Sequence, residues 1–221
     1  MKKRPADTLA TQIAKALADR IITGVIQPDS PLRQNHIARE FGASHVPVRE
    51  AFRQLEAQGL AVNEPRRGVR VTAYDIDEIH EVAAMRATLE TLALRHAARH
   101  ITPAVLVAAE QANLMTEGAR DVREWEIANR QFHRLIVTPC RMPRLLSTID
   151  ALHIASARFL FAAWRSYWEK PTDRDHTAIR SALRRGQTDI ACSVLSKHVQ
   201  RTGRSNLRKF PISTMGYAII G

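Results

Sequence analysis

The segment "SHVPVREAFRQLEAQGL", residues 44–60, decides how this chain is built. Ser44 is a good helix N-cap, and Pro47 falls in the first turn, where its missing N–H removes no helical bond. Val48, Phe52 and Leu55 recur at i, i+4 and i+7 and form an apolar stripe. His45, Arg49 and Arg53 stand four residues apart on a neighbouring face, and Gly59 ends the run. The segment predicts a short helix with one apolar side and one cationic side.

Upstream, residues 8–22 place Leu9, Ile13, Leu17 and Ile21 on one face, with Gly24 as the stop. A turn-rich link, "GVIQPDSPL", leads to "RQNHIAREF", a second short helix with Ile37, Ala38 and Phe41 facing inward. Gly42 closes it two residues before Ser44. Two helices joined by a glycine-containing turn make a helix-turn-helix. Downstream, "LAVN" and "VRVTA" flank the turn "EPRRG" and read as a hairpin with Arg66 and Arg67 at its tip. The first domain, residues 1–74, is therefore expected to be a winged helix-turn-helix of three helices plus a β-hairpin wing. The second helix of such a motif enters the major groove by its N-terminal end. That makes Arg33, Ser44, His45, Val46, Arg49, Arg53, Arg67 and Gly68 the candidate DNA-binding residues. The alternative for Arg49 is pairing with Glu50 or Glu56 on a wet face.

From Asp75 no strand is evident, so the chain is mainly α. A long helix covers "DIDEIHEVAAMRATLETLALRHAARH", Thr102-Pro103 opens another, and a third covers residues 122–137. Pro139 and Pro143 precede "RLLSTIDALHIASARFLFAAW", and Pro171 precedes a helical hairpin over about 173–185 and 188–202. The second domain, residues 75–205, is expected to be an all-α bundle of six or seven helices. The tail, 206–221, shows no clear period.

The 221 residues carry a net charge of +11, which favours a polyanionic partner, although arginine-rich surfaces are also simply solvated. Two cysteines are too few for a disulfide framework and fit a reducing bacterial cytoplasm. No apolar run approaches a membrane span on this reading, and no membrane partner is expected. Among enzyme signals there is no Gly-rich phosphate loop, nucleophile elbow or HExxH.

The run "IAREFGASHVPVREAFRQLEAQGL…RRGVRV" resembles the DNA-binding domain of GntR-type bacterial transcription regulators. "MRATLETLALRHAA", "NRQFHRLI", "PRLL" and "HTAIRSALRRGQTDIACSVLSKHVQRT" are similar to the all-α ligand-binding domain of the FadR branch, called FCD. The resemblance covers residues 8–202 in order. It departs at His45, where the family commonly has arginine, which bears on the operator bases.

Of nine histidines, His80, His96, His100 and His153 read as satisfying local contacts. His133 shares a helix face with Asn129, four residues earlier. His176 and His198 each lie eleven positions from Gln187, at equal height in an antiparallel helix pair. They converge if both faces look inward. The resemblance implies a divalent metal, zinc or nickel, on Asn129, His133, His176 and His198, with asparagine where some members have aspartate. A small organic acid would complete the metal shell and meet Arg86, whose alternative is a salt bridge to Glu90. These expectations describe a homodimeric regulator, more in keeping with repression, that binds a palindromic operator under control of a small metabolite. A metal-dependent hydrolase on a helical bundle is the rival, disfavoured because no carboxylate accompanies the three histidines in the motif positions as general base.

Overall fold

The computed structural model describes residues 7–164, 168 and 174–209, with backbone alone for 204–209. The chain divides into two compact units between Tyr74 and Asp75. In the first unit, α1 spans Leu9–Ile22, α2 Gln34–Glu40 and α3 His45–Ala57, followed by β1, Ala61–Glu64, and β2, Gly68–Val71. The strands pair antiparallel, with Ala61 opposite Val71 and Glu64 opposite Gly68. This is a winged helix-turn-helix.

Helix α3 follows the pattern of the decisive segment. Val48 and Leu55 are fully buried and Phe52 is 4 % exposed, each burial worth about 1.5–3 kcal/mol. Ser44 occupies the N-cap position, but its side chain makes no capping hydrogen bond. Gly42, at φ +56°, turns the chain between α2 and α3 in a conformation that costs a side chain strain. Helix α1 starts at an N-cap that does bond: the Thr8 side chain accepts from the Thr11 N–H at 3.2 Å. Its buried face is Ile13, Leu17 and Ile21, whereas Leu9 is 45 % exposed, a departure from the expected stripe. Leu9 opens the helix, and in that first turn the buried position is Ala10 instead. Phe41 ends up just past α2, half-buried, with the Arg20 guanidinium 5.7 Å from its ring centroid.

The link before α2 is more ordered than a turn-rich loop. Leu32 N–H donates to the Val69 carbonyl at 2.8 Å, and Val71 N–H donates to Ser30 at 2.9 Å. Residues 29–32 thus line the free edge of β2. Arg70 clamps the edge through Asp29, with Nε 3.0 Å from a carboxylate oxygen. The prolines on either side of "DS" hid this edge, because proline is confined to sheet borders.

In the second unit, α4 spans Ile76–Ala97, α5 Pro103–Gly118, α6 Val122–Val137, α7 Pro143–Ala163, α8 Asp175–Arg184 and α9 Thr188–Lys209. The described residues thus hold six α-helices here, within the expected six or seven. Capping side chains set the starts: Thr102 accepts from Val105 N–H and Asp121 from Glu124 N–H. Helix α4 packs along α9 and α7, α5 against α6, and α8 against α9. Phe132, Ile136, Leu94, Ile149, Ile179 and Leu195 fill the space between them.

Two expectations need correction. Helix α9 runs to Lys209, past the expected helix end at about 202, because "SNLRK" contains no breaker and several good helix formers. Helix α7 is long and apolar enough to cross a membrane by length and composition, with a mean hydropathy of 1.3. Its Ile149, His153, Arg158 and Phe159 are instead buried within the helical domain. The expected helix start at 173 and the tail from 210 lie outside the described residues.

Gly203 marks a close approach of α9 to α4: a Cβ there would stand 2.6 Å from the Ala83 Cβ. In an open helix Gly→Ala gains about 1 kcal/mol. Here Gly203→Ala is expected to destabilise by about 1–3 kcal/mol, through overpacking against a rigid methyl. Urea unfolding checks it. Adding Ala83→Gly restores the space and should recover the loss.

Candidate metal centre and nucleic-acid interface

The metal-ligating types converge in the second unit. Helix α6 is strongly amphipathic, and its buried face carries Asn129, Phe132, His133 and Ile136 one turn apart. Helices α8 and α9 form an antiparallel hairpin around Gly186, which places His176 and His198 side by side, ring centroids 4.9 Å apart. His133 lies 5.3 Å from each of them, centroid to centroid. One candidate ligand atom from each of the three histidines falls within 4.8 Å of the others, and all three residues are buried. Phe132 stacks on His176 at 3.8 Å and fixes its ring plane.

Whether these residues fit a metal can be tested on their unused polar atoms. His133 Nε2 and Asn129 Oδ1 are both buried and make no hydrogen bond to the described residues. Buried polar atoms are almost always satisfied, so two orphans on adjacent turns of one helix call for a partner. A divalent ion would supply that partner, and an imidazole nitrogen and an amide oxygen are both suitable donors. The fit is good.

The surroundings contain what periodicity did not reveal. Glu90 of α4, fully buried, stands with Oε2 2.6 Å from His133 Nδ1. Its Oε1 receives Arg86 Nε at 2.8 Å and lies 3.3 Å from His153 Nε2. Arg86, 5 % exposed, also donates from Nη1 to Ser156 Oγ on α7 at 2.9 Å. Burial works against a charge on Glu90, yet the Arg86 guanidinium, with the hydrogen bond from His133, holds its carboxyl well below the usual carboxylate range. Burial pushes His133 down to about 4 against the pull of Glu90, and drives His153 down as well. Both imidazoles are therefore neutral near pH 7, the form that binds metals. On the other flank, Asp175 Oδ2 lies 3.0 Å from His198 Nδ1 and pairs with Arg201.

One sequence reading changes accordingly. His153 is 4 % exposed and belongs to a buried cluster with Glu90 and His133, rather than serving a local contact. Carboxylates also lie beside the histidines, outside the motif positions that the sequence argument considered. Each is tied into an ion pair, Glu90 with Arg86 and Asp175 with Arg201. The i, i+4 spacing of Arg86 and Glu90 carried a signal for one of them. Nothing in the sequence pointed to His153.

In the first unit, Arg33, Ser44, His45, Arg49, Arg53, Arg67 and Gly68 are all exposed, and Val46 is 65 % exposed. Gln34 Nε2 donates to the His45 carbonyl at 3.0 Å, tying α2 to the start of α3. Arg53 pairs with Glu50 at 3.5 Å, and Arg67 with Glu64 at 2.7 Å across the wing turn. Arg49 has no ion-pair partner among the described residues, contrary to the alternative that it pairs with Glu50 or Glu56.

Comparison with known proteins supports the same division. Residues 9–71 match "Bacterial regulatory proteins, gntR family", and residues 81–201 match "FCD domain". A probable D-xylose utilization operon transcriptional repressor of Paenarthrobacter nicotinovorans is 30% identical over 90% of this chain and 88% of its own length. The HTH-type transcriptional repressor RspR of Escherichia coli K12 is 26% identical, over 91% of this chain and 90% of the relative. Among solved structures, E. coli McbR/YncC superposes with a TM-score of 0.77 at 21% identity, over 92% of this chain and 99% of that one, a likeness of fold. A winged helix-turn-helix with an exposed basic helix, followed by this six-helix domain, is thus accounted for: the chain belongs to the GntR family of bacterial DNA-binding transcription regulators, a non-enzymatic class, and carries an FCD domain.

Proposed function

We propose that this regulator is a repressor whose hold on its operator is controlled by a small organic acid bound at a divalent metal in the helical domain. The observation that carries the reading is the buried convergence of His133, His176 and His198 beside the unsatisfied Asn129 oxygen. Zinc or nickel suits this donor set. When bound, the ion supplies positive charge and open positions for an anionic guest. The four protein ligands carry no charge of their own, which favours an acid over a neutral metabolite. Arg86 Nη2 makes no hydrogen bond to the described residues and remains available to the same guest. Repression is supported by relatives named as repressors. A regulator of this kind works in the bacterial cytoplasm, on the nucleoid, as a homodimer, because one recognition helix reads only half of a palindromic operator.

On the DNA side, the N-terminal turn of α3 enters the major groove. There His45, Val46 and Arg49 meet base edges, while Arg33, Ser44, Arg53 and the wing residues Arg67 and Gly68 hold the backbone. Control follows if the acid binds one arrangement of the protein better than the other. Arg49→Ala is expected to cost about 1–3 kcal/mol on the operator and little on scrambled DNA, if the arginine reads a base. Gel shifts at fixed salt on both DNAs test this. Equal losses on both make Arg49 a phosphate contact, and unchanged binding removes it from the interface.

A further inference from the structure

We propose that Glu90 and Asp175 are positioning residues for the metal centre, each fixing the tautomer and ring orientation of one histidine that would hold the ion. The inference rests on the metal reading above and assigns roles to residues that contact no ion themselves. Two carboxylates from different helices, α4 and α8, approach the Nδ1 atoms of two different histidines, at 2.6 Å for His133 and 3.0 Å for His198. A carboxylate only accepts, so each Nδ1 must carry the hydrogen and donate it. The nitrogen left with a lone pair is Nε2 in both rings. For His133 this is the buried atom that makes no hydrogen bond. A ring gripped at Nδ1 cannot flip to present the wrong nitrogen, and the nearby anion makes Nε2 a better donor to a cation.

The grip is itself secured. Arg86 Nε holds the other oxygen of Glu90, and Ser156 on α7 holds Arg86 at 2.9 Å. Arg201 holds Asp175 from the next turn of α9 beyond His198. His176 is oriented differently, by stacking on Phe132. Each of the three histidines is thus fixed by a different neighbour before any ion arrives.

The test uses the full chain, stripped with EDTA and titrated with Zn²⁺ against a chelating dye. Glu90→Gln and Asp175→Asn are each expected to bind Zn²⁺ about 10- to 100-fold more weakly than the parent. Glu81→Gln, at an exposed position of α4, should bind as the parent does. A second readout is the nitrogen spectrum of the histidine rings in the metal-free parent protein. It should show the Nδ1–H tautomer for His133 and His198, and a purely structural role for the carboxylates would not require that. Folded variants with parental affinity, or an Nε2–H tautomer in the parent protein, overturn the proposal. Should Glu90→Gln fail to fold, Asp175→Asn and the parent spectra decide. If the parent protein takes up no Zn²⁺, the metal reading itself fails. If the parent binds and both variants bind equally well, only the positioning role fails.

Discussion

Replacing Arg86 by leucine is expected to destabilise the helical domain by about 3–5 kcal/mol, the usual cost of stripping one partner from a buried ion pair. The Arg86 side chain is 6 % exposed and that of Glu90 is 0 % exposed. Without the guanidinium, Glu90 keeps only His133 and His153, both held neutral by burial, so its charge loses the one full positive charge beside it. All three tryptophans, Trp125, Trp164 and Trp168, belong to the second unit, so fluorescence during urea unfolding reports this domain selectively. A loss below about 1 kcal/mol would mean that Glu90 is not charged in the folded protein. The double variant Arg86→Leu, Glu90→Leu should recover part of the loss, because an apolar pair can replace a buried ionic one at little cost. Recovery stays incomplete, since His133 Nδ1–H is then left buried without its acceptor, at about 1–3 kcal/mol.

The second large effect concerns the ion. At free Zn²⁺ of a hundred times its Kd, the parent protein should gain about 2.7 kcal/mol of stability over its EDTA-treated form. His176→Ala should gain almost nothing at the same concentration, because one of three converging imidazoles is gone. The variant also leaves a hole against Phe132, so each protein is compared with its own metal-free state. Asn129→Asp should move the other way. A negative charge beside the ion strengthens its hold and weakens an acidic guest, both readable by calorimetry on the metal-loaded protein. Undiminished zinc stabilisation in His176→Ala would place the ion elsewhere, for instance among Glu90, His133 and His153, whose candidate atoms also lie within 4.8 Å of one another.

The two regions differ in how much the sequence discloses. Local spacing fixes the first unit: the apolar stripe of α3, the glycine between α2 and α3 and the turn at Pro65 all act over a few residues. The equal distances of His176 and His198 from Gln187 set them at one height, because an antiparallel hairpin converts spacing into height, but that both faces look inward came only with the packing. Asn129 as a ligand came from family resemblance, and its orphaned oxygen supports that reading. Glu90 was legible only as the i+4 partner of Arg86, a spacing shared by many exposed pairs. That it also reaches His133, 43 positions away, depends on how α4 leans on α6, which no helical period encodes. His153 was hidden for the same reason. Residues 29–32 were read as a link because prolines flank them, although their backbone bonds lie along the sheet edge.

The ion pairs on the exposed side of the first unit bear on how binding answers to salt. Arg53 and Arg67 already hold Glu50 and Glu64 as built-in counterions. When such an arginine turns to a phosphate it exchanges one anion for another, and the carboxylate it leaves behind recruits a cation from solution. That recapture offsets the cation the DNA gives up, so these contacts add less than the usual 0.9 or so each to the slope of log K against log salt. Arg49, which has no ion-pair partner among the described residues, would add the full increment only if it held a phosphate instead of a base edge. Counting all 33 lysines and arginines as phosphate contacts would therefore overstate the chain's indiscriminate pull on DNA, whereas the net charge of +11 already subtracts these carboxylates. A larger share of its affinity is left to contacts that depend on base sequence.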